Sequence, residues 1–460
     1  MVYRSGSGLD VVSEALGFSS NWYALVTSVT KFGRKEHFEV QTRNIPRVGQ
    51  RQVGVPNNSS GQLPNVVLVL LESFSYSVTS LGNPYIETTP NLLRLSSEGV
   101  KFQLTRCPVS HTTKAFWAVL TSSTPVINSD YVEAIPNEDR YEGLPSILKR
   151  VGYRSAFFEV SKGTFECAPG FFYNLDFDWA WFRENLEDPS AYLGYVGGDD
   201  CRMLEPAFDW VSENSQPFLL MMASSVSHDP YDVPQWFEKA KSEPYEKYLQ
   251  SIRYTDYFLG QLCKILKERN LEENTIVCVL GDHGTSFKTK KAYGRWIPNE
   301  EVIRIPWVIK WPKHVRAGQI IDWPCSQLDV TPTILNLIGF DTTKAGFEGQ
   351  DAFVPSKPNR RFYFSSWFEN SPLGYLEGNR KVIYWPYTDK VFEYNLDTDP
   401  EEQNPQTLSF EDMKQVKHDI LQWEKKSQIF LDAKRHTTDF LFSHWQTFSA
   451  GRFARAYYVH

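Results

Sequence analysis

The chain has no apolar stretch of the roughly 18 to 20 residues that a membrane span requires, and its amino terminus lacks a signal-peptide pattern. As given, it reads as soluble. Blocks of one charge sign are missing too: 48 basic and 55 acidic residues are interspersed along 460 positions, leaving a net charge of −7. That removes the electrostatic footprint of a nucleic-acid binder and disfavours a polyanionic partner. Cysteine is scarce. The six thiols, Cys107, Cys167, Cys201, Cys263, Cys278 and Cys325, show neither CxxC nor zinc-ribbon spacing. Cys278 lies in an apolar run and reads as a core thiol, whereas Cys107, Cys167 and Cys201 lie in loop-like surroundings and would pair only in an oxidising compartment. Internal repeats are absent.

Aromatic side chains are abundant instead, 15% of the sequence with 14 Trp, and several crowd loop-like stretches such as Phe177-Asp178-Trp179-Ala180-Trp181-Phe182. Core packing accounts for most of them, leaving some to line a substrate cleft. The length allows one large α/β core with a smaller appended domain, or two to three ordinary domains. From Asn65 onward strand and helix signals alternate. Segments 66–71, 154–159, 217–223, 275–280 and 305–310 read as strands, Thr89-Pro90-Asn91 opens a helix with proline in its first turn, and helices follow at 115–122, 246–268 and after Asp329. This predicts the α/β class, with a mostly parallel central sheet covered by helices on both faces. Further on, 361–364, 381–385 and 390–394 read as short strands of a smaller antiparallel subdomain, and 411–446 as helix. The domain plan is an N-terminal segment and linker over 1–61, the α/β core over 62–350, and a C-terminal α+β subdomain with its terminal helix over 351–460. Within the first, the pattern around Ala15 to Val26 suits an amphipathic helix, packed on the core or lying at a membrane surface.

Chemistry concentrates at strand ends. Asp282-His283-Gly284 ends the run Thr275-Ile276-Val277-Cys278-Val279-Leu280, which places an oxygen and a nitrogen ligand on one strand tip and looks like half of a metal site. Glu72, ending Val66-Val67-Leu68-Val69-Leu70-Leu71, supplies the other half. In open α/β sheets, sites form outside the carboxyl ends of strands, so two such tips deliver ligands to one edge. Between them lies Ser110-His111-Thr112-Thr113-Lys114-Ala115-Phe116-Trp117. A hydroxyl just ahead of an apolar helix has the geometry of an N-cap and equally of a nucleophile at a positive helix terminus. Thr112 alone reads more readily as a cap, and His111 as a local hydrogen-bonding group.

The order of these motifs resembles the sulfatase-like branch of the alkaline phosphatase superfamily, and within it the lipoteichoic acid synthase and phosphoglycerol transferase group. The resemblance covers about 64 to 405 and runs through Pro64 to Ser73, Thr89-Pro90-Asn91-Leu92, the Thr112 helix, His228-Asp229-Pro230-Tyr231, Gly281-Asp282-His283-Gly284, Ser326-Gln327-Leu328-Asp329-Val330-Thr331-Pro332-Thr333 and Glu393 to Glu402. It implies one divalent metal ion, Mn²⁺ or Zn²⁺ with Mg²⁺ as an alternative, held by Glu72, Thr112, Asp282 and His283. It further implies Thr112 as nucleophile, with Thr113 as the alternative, and His228 as the group that binds the phosphoryl oxygen or protonates the leaving one. A bound cation would lower the threonine pKa and polarise the phosphoryl oxygen.

Two departures matter. Formylglycine sulfatases carry a Cys/Ser-x-Pro-x-Arg motif where this chain has Thr112-Thr113-Lys114-Ala115-Phe116, and threonine cannot become that aldehyde, so a true sulfatase is disfavoured. Around Phe165 to Phe171 the Trp-x-Arg segment of lipoteichoic acid synthases is missing, which puts phosphoglycerol in doubt; Lys114, Lys162 and Arg295 are the candidate replacements to meet phosphate charge, though each reads more readily as a solvated surface residue.

The resulting expectation is a metal-dependent phosphotransferase or phosphodiesterase working through a phosphothreonine, on a phospholipid or phosphorylated glycan of the cell envelope. Its location would be extracytoplasmic, with membrane attachment through segments outside this chain. The alternatives are a hydrolase of sulfate esters or phosphate monoesters, and a non-catalytic ectodomain that binds a glycan or lipid headgroup.

Overall fold

The structure is a computed structural model that describes residues 45–56, 63–127, 131–135, 138–287, 297–368 and 370–427. Among these residues eight strands form one sheet: β1 Asn65–Leu71, β2 Val100–Arg106, β3 Arg154–Glu159, β4 Trp179–Trp181, β5 Phe218–Ala223, β6 Thr275–Gly281, β7 Trp307–Lys310 and β8 Gln319–Ser326. Their spatial order is β4-β3-β5-β1-β6-β7-β2-β8. All neighbours pair in parallel except at β7, which runs antiparallel to both β6 and β2.

The central strands are continuous apolar runs because helices cover both faces of the sheet. Val66, Leu68 and Leu70 of β1 pack in one core with Phe116, Trp117, Leu120 and Trp307, while Val67, Val69 and Leu71 enter a second core with Leu92, Leu95, Phe208 and Leu259. Each fully buried side chain of this kind is worth about 1.5–3 kcal/mol. The predicted α/β class holds, and the strand and helix signals fall on observed elements, including helices Pro90–Glu98, Thr112–Thr121, Pro244–Glu268 and Val330–Ile338.

Three strands of this sheet were not anticipated. In β2, buried Val100 and Phe102 alternate with half-buried Lys101 and Gln103, but the period-two pattern breaks at a register shift between Phe102 and Leu104, after which Leu104 is half-buried and Thr105 buried. β4 is three residues at the sheet edge and sits inside the stretch read as loop-like; Phe177, Trp181 and Phe182 there are buried core groups. β8 contains Pro324, which an edge strand tolerates.

A second sheet, antiparallel as expected, has the order β13-β12-β11-β10-β9, with β9 Arg361–Ser365, β10 Leu373–Glu377, β11 Arg380–Trp385, β12 Lys390–Asn395 and β13 Gln406–Thr407. Helix Phe410–Ser427 closes one face through Val416 and Ile420, against Leu373, Tyr375 and Val382. Beyond Ser427 the predicted helix lies outside the described residues. The two sheets are joined: Ser365 N donates to Pro108 O at 2.8 Å and Ser110 N donates to Ser365 O at 3.3 Å. This links β9 to the segment that leads into helix Thr112–Thr121.

Residues 45–54, grouped with the N-terminal segment from sequence, pack on the core. Arg51 is buried there, donating to the carbonyls of Thr121, Ala345 and Gly346 and to Ser123 Oγ. The earlier amphipathic stretch and the 57–61 part of the linker lie outside the described residues. All six cysteines are free, and Cys107, read as loop-like, is buried. No described helix is long and apolar enough to cross a membrane.

Candidate active site at the β1 and β6 tips

The last register pair between β1 and β6 is Leu71 with Gly281, so Glu72 and Asp282 emerge side by side one residue past the paired strands. Asp282 N donates to Leu71 O at 3.0 Å, closing the edge. Ser73 then turns in the left-handed region at φ 50°. That turn aims its backbone N at Asp282 Oδ1, 2.8 Å away, and its Oγ donates to Glu72 Oε1 at 2.7 Å. An unfavourable backbone conformation held by hydrogen bonds is a mark of functional sites.

His283 follows with its Nδ1 2.9 Å from Gly284 O, a contact that fixes the ring and leaves Nε2 facing the carboxylates. His283 Nε2 stands 3.5 Å from Asp282 Oδ2. Gly284 is required by close approach: a Cβ there would lie 2.2 Å from Glu301 O and 2.4 Å from Ser75 Oγ. From below, Gln327 Nε2 donates to the main-chain oxygens of Gly281 at 3.0 Å and Asp282 at 2.6 Å. One ligand atom from each of Glu72, Asp282 and His283 lies within 4.8 Å of the others, a candidate metal centre.

The electrostatics of this edge call for a cation. Burial, and then the charge of Glu72, push the Asp282 carboxyl well above its ordinary value. Burial also pushes Glu72 up, but His228, His283 and the hydroxyls of Ser73 and Thr112 outweigh it and hold Glu72 below the ordinary carboxylate range. Asp282 Oδ2 is buried without a hydrogen-bond partner. A buried acceptor without a donor costs about 1–3 kcal/mol, more when charged. Two carboxylates, an imidazole and an orphaned oxygen fit a divalent cation of the Mn²⁺, Zn²⁺ or Mg²⁺ type.

Helix Thr112–Thr121 points its amino end at this cluster. Its N-cap is His111, so the cap reading of Thr112 is corrected: Thr112 is the first helical residue, and its Oγ1 donates to Glu72 Oε2 at 2.9 Å. From Thr113 to Thr121 every residue is buried, which fixes the helix as a platform. Thr113 faces elsewhere, donating its hydroxyl to Glu166 Oε2. His111 Nε2 lies 3.0 Å from Glu166 Oε1.

Glu166 is the site neighbour that sequence reading passed over. Burial pushes its carboxyl up, but His111 and the Thr113 hydroxyl hold it below the ordinary range. It sits at φ 54°, followed by Cys167 at φ 58°, and no local pattern announces two successive left-handed residues without glycine.

The remaining predicted residues divide. His228 is half-buried, its Nδ1 2.7 Å from Asp229 O and its ring 6.0 Å from that of Phe165, and its charge acts on Glu72. The structure removes Lys114 from the phosphate contacts and equally from the solvated surface. It is fully buried, with Nζ 2.9 Å and 3.1 Å from the Glu133 carboxylate oxygens, because an interior cation is stable only when paired. Lys162 lies with its Nζ 5.5 Å from the Tyr195 ring centroid. Arg295 lies outside the described residues.

The family model described as Sulfatase matches residues 64–340, more than half of the chain. The chain belongs to the sulfatase family. A sulfatase from Formosa agariphila is 23% identical over 74% of this chain and 82% of its own length. Lipoteichoic acid synthase 2 of Bacillus subtilis is 25% identical over 66% of this chain, and the match spans 50% of that relative's length. Among solved structures, a protein of the alkaline phosphatase superfamily from Vibrio parahaemolyticus superposes with a TM-score of 0.67 at 23% identity, covering 82% of this chain and 90% of that one. The fold is therefore that of the alkaline phosphatase superfamily, and this family member is a sulfatase-like enzyme whose relatives include both sulfatases and lipoteichoic acid synthases.

Proposed function

We propose that this enzyme is a metal-dependent phosphotransferase or phosphodiesterase in which Thr112 is the nucleophile. The observation that carries the reading is the convergence of Glu72, Asp282 and His283 within 4.8 Å, with the Thr112 hydroxyl on Glu72. Glu72, Asp282, His283 and the Thr112 oxygen would hold one divalent cation, which when bound supplies Lewis acidity to a phosphoryl oxygen and favours the threonine alkoxide.

The chain's own residues provide the rest. Glu72 Oε2, already accepting from Thr112 Oγ1, is placed to receive its proton as Oγ1 forms a bond to phosphorus. The ester bond to the departing alcohol breaks, and His228 supplies the proton that oxygen needs. A second alcohol, or water, then attacks the phosphothreonine and gives its proton to His228, which lost its own in the first step; the bond from phosphorus to Thr112 breaks and the threonine oxygen takes back the proton held by Glu72. The amino end of helix Thr112–Thr121, which has no side-chain cap from His111, would add its positive pole to the site of the transferred anion.

Threonine in place of a formylglycine precursor sets the phosphoryl reading ahead of sulfate-ester hydrolysis. The similarity to a lipoteichoic acid synthase supports a phospholipid or phosphorylated glycan of the envelope as substrate, handled outside the cytoplasm. The same reading treats 62–350 as the catalytic core and 351–460 as its C-terminal subdomain.

The test is turnover of p-nitrophenyl phosphodiester, monoester and sulfate by protein supplied with Mn²⁺ or Zn²⁺, beside Thr112→Ala. Diester cleavage that disappears in the variant is the expected outcome. Preferential sulfate turnover, or activity that survives without Thr112, would overturn it.

A further inference from the structure

We propose that Asp199 and Asp200 form a two-carboxylate clamp that positions His228 against the reacting centre, which makes both of them positioning residues for proton delivery to the leaving group. This rests on the reading of His228 given above. The His228 backbone is tied within its turn, its N donating to Ser225 O at 3.2 Å and its O accepting from Tyr231 N at 2.8 Å, but the side chain hydrogen-bonds only the next carbonyl, through Nδ1, and the segment from Ser225 to Trp236 that carries it is irregular. A proton donor must nevertheless be held within hydrogen-bond reach of one oxygen.

The clamp grips that segment at both ends. At its start, the Asp200 carboxylate accepts from Ser225 N at 3.0 Å and 3.1 Å, from Ser225 Oγ at 2.6 Å and from Val226 N at 3.2 Å. At its end, Asp199 Oδ2 accepts from Trp236 Nε1 at 2.8 Å, while Oδ1 accepts from Tyr254 OH at 2.6 Å. Both aspartates are buried at 0–1% exposure. Adjacent residues thus hold two ends of one loop with His228 between them.

The same loop is referenced to the metal-type edge. Ser227 Oγ donates to Glu72 O at 2.6 Å, and Glu72 N donates to Ser224 Oγ at 3.0 Å. Packing leaves it no slack on the outer side. A Cβ on Gly197 would lie 2.3 Å from Ser225 Oγ, and Gly198 N donates to that same oxygen at 3.2 Å. His228 therefore inherits its place relative to Glu72 and Thr112 from Asp200, Asp199 and the serines, which no element of regular structure supplies.

The experiment compares leaving groups, because a proton donor matters most when the departing oxygen is basic. Wild type, His228→Gln, Asp200→Asn and Ser225→Ala are supplied with Mn²⁺ and assayed on bis(p-nitrophenyl) phosphate and on dibenzyl phosphate. His228→Gln is expected to lose on the order of a hundredfold on the dibenzyl ester and far less on the nitrophenyl ester. Asp200→Asn turns an amide toward three donors and should repeat that selectivity at about tenfold, in kcat with KM little changed. Ser225→Ala keeps the carboxylate and its two backbone donors, removes the hydroxyl's bond to Asp200 Oδ1 together with the one from Gly198 N, and should shift in the same direction by a smaller factor; it carries the test if Asp200→Asn does not fold. Equal slowing of both esters in the clamp variants, beside a selective His228→Gln, would reduce the clamp to a structural device. If His228→Gln shows no selectivity, the role assigned to His228 fails first, and the clamp proposal with it.

Discussion

Asp282 is a fully buried carboxylate and Glu300 a largely buried one, its side chain 12% exposed, and their surroundings have opposite sign. At Glu300, where the two sheets meet, Arg106 Nη2 stands at 2.7 Å and Lys381 Nζ at 3.2 Å, and Lys381 also pairs with Glu402 at 2.7 Å. At Asp282 the neighbouring charge is another carboxylate, Glu72, and one oxygen has no donor. Burial alone would raise both. At Glu300 the Arg106 and Lys381 charges outweigh it and hold the carboxyl down at about 2, while at Asp282 the Glu72 charge adds to it. A cluster whose charges cancel among themselves belongs to the scaffold. One left with surplus like charge is built for something that arrives from outside.

The difference can be broken most severely at Thr112. Thr112→Ala should lower turnover by on the order of 10⁴ or more, with the thermal midpoint unchanged, whereas Thr113→Ala, losing only a bond to Glu166, should cost about tenfold. Equal losses would mean that the hydroxyl on Glu72 has no special place.

On the scaffold side, Glu300→Gln should reduce unfolding free energy by about 3 kcal/mol in urea titrations, because it leaves Arg106 and Lys381 without their shared partner. The sign of its pH dependence follows from the depressed carboxyl. Its contribution is fully present above the ordinary value of 4.5 and is lost as pH falls toward 2. Stability of the variant should be flatter across that window.

At the β1 and β6 edge the dependence should be on metal. Mn²⁺ or Zn²⁺ at about a hundred times its dissociation constant should stabilise the wild type by about 2.7 kcal/mol. Asp282→Asn should abolish that gain. The smallest effect is also the sharpest contrast: in chelator-treated protein Asp282→Asn should leave stability level or raise it by about 1 kcal/mol. A loss matching that of Glu300→Gln would place Asp282 in the scaffold.

Legibility in the sequence followed burial. The apolar runs of β1, β5 and β6 are written without interruption, since both faces of the sheet are covered, and they led directly to Glu72 and Asp282 at their ends. β8 at the edge carries Asp322, Trp323 and Pro324 and gave no such signal. Short β4 was hidden among aromatics that packing, not periodicity, arranges. Lys114 was misread because its partner Glu133 stands in a separate turn, and only tertiary structure turns a lysine at a helix start into a buried ion pair. Asp199 and Asp200 were equally silent, as their roles depend on a loop that begins 25 residues away from Asp200.

The central claim is that Thr112 carries the transferred group. The direct measurement is to quench the metal-loaded enzyme during turnover of a phosphodiester and map the modified peptide by mass spectrometry. A phosphoryl adduct on Thr112, absent from Thr112→Ala, is the predicted result; an adduct on Thr113, or turnover with no adduct on either threonine under conditions that accumulate the intermediate, would contradict it.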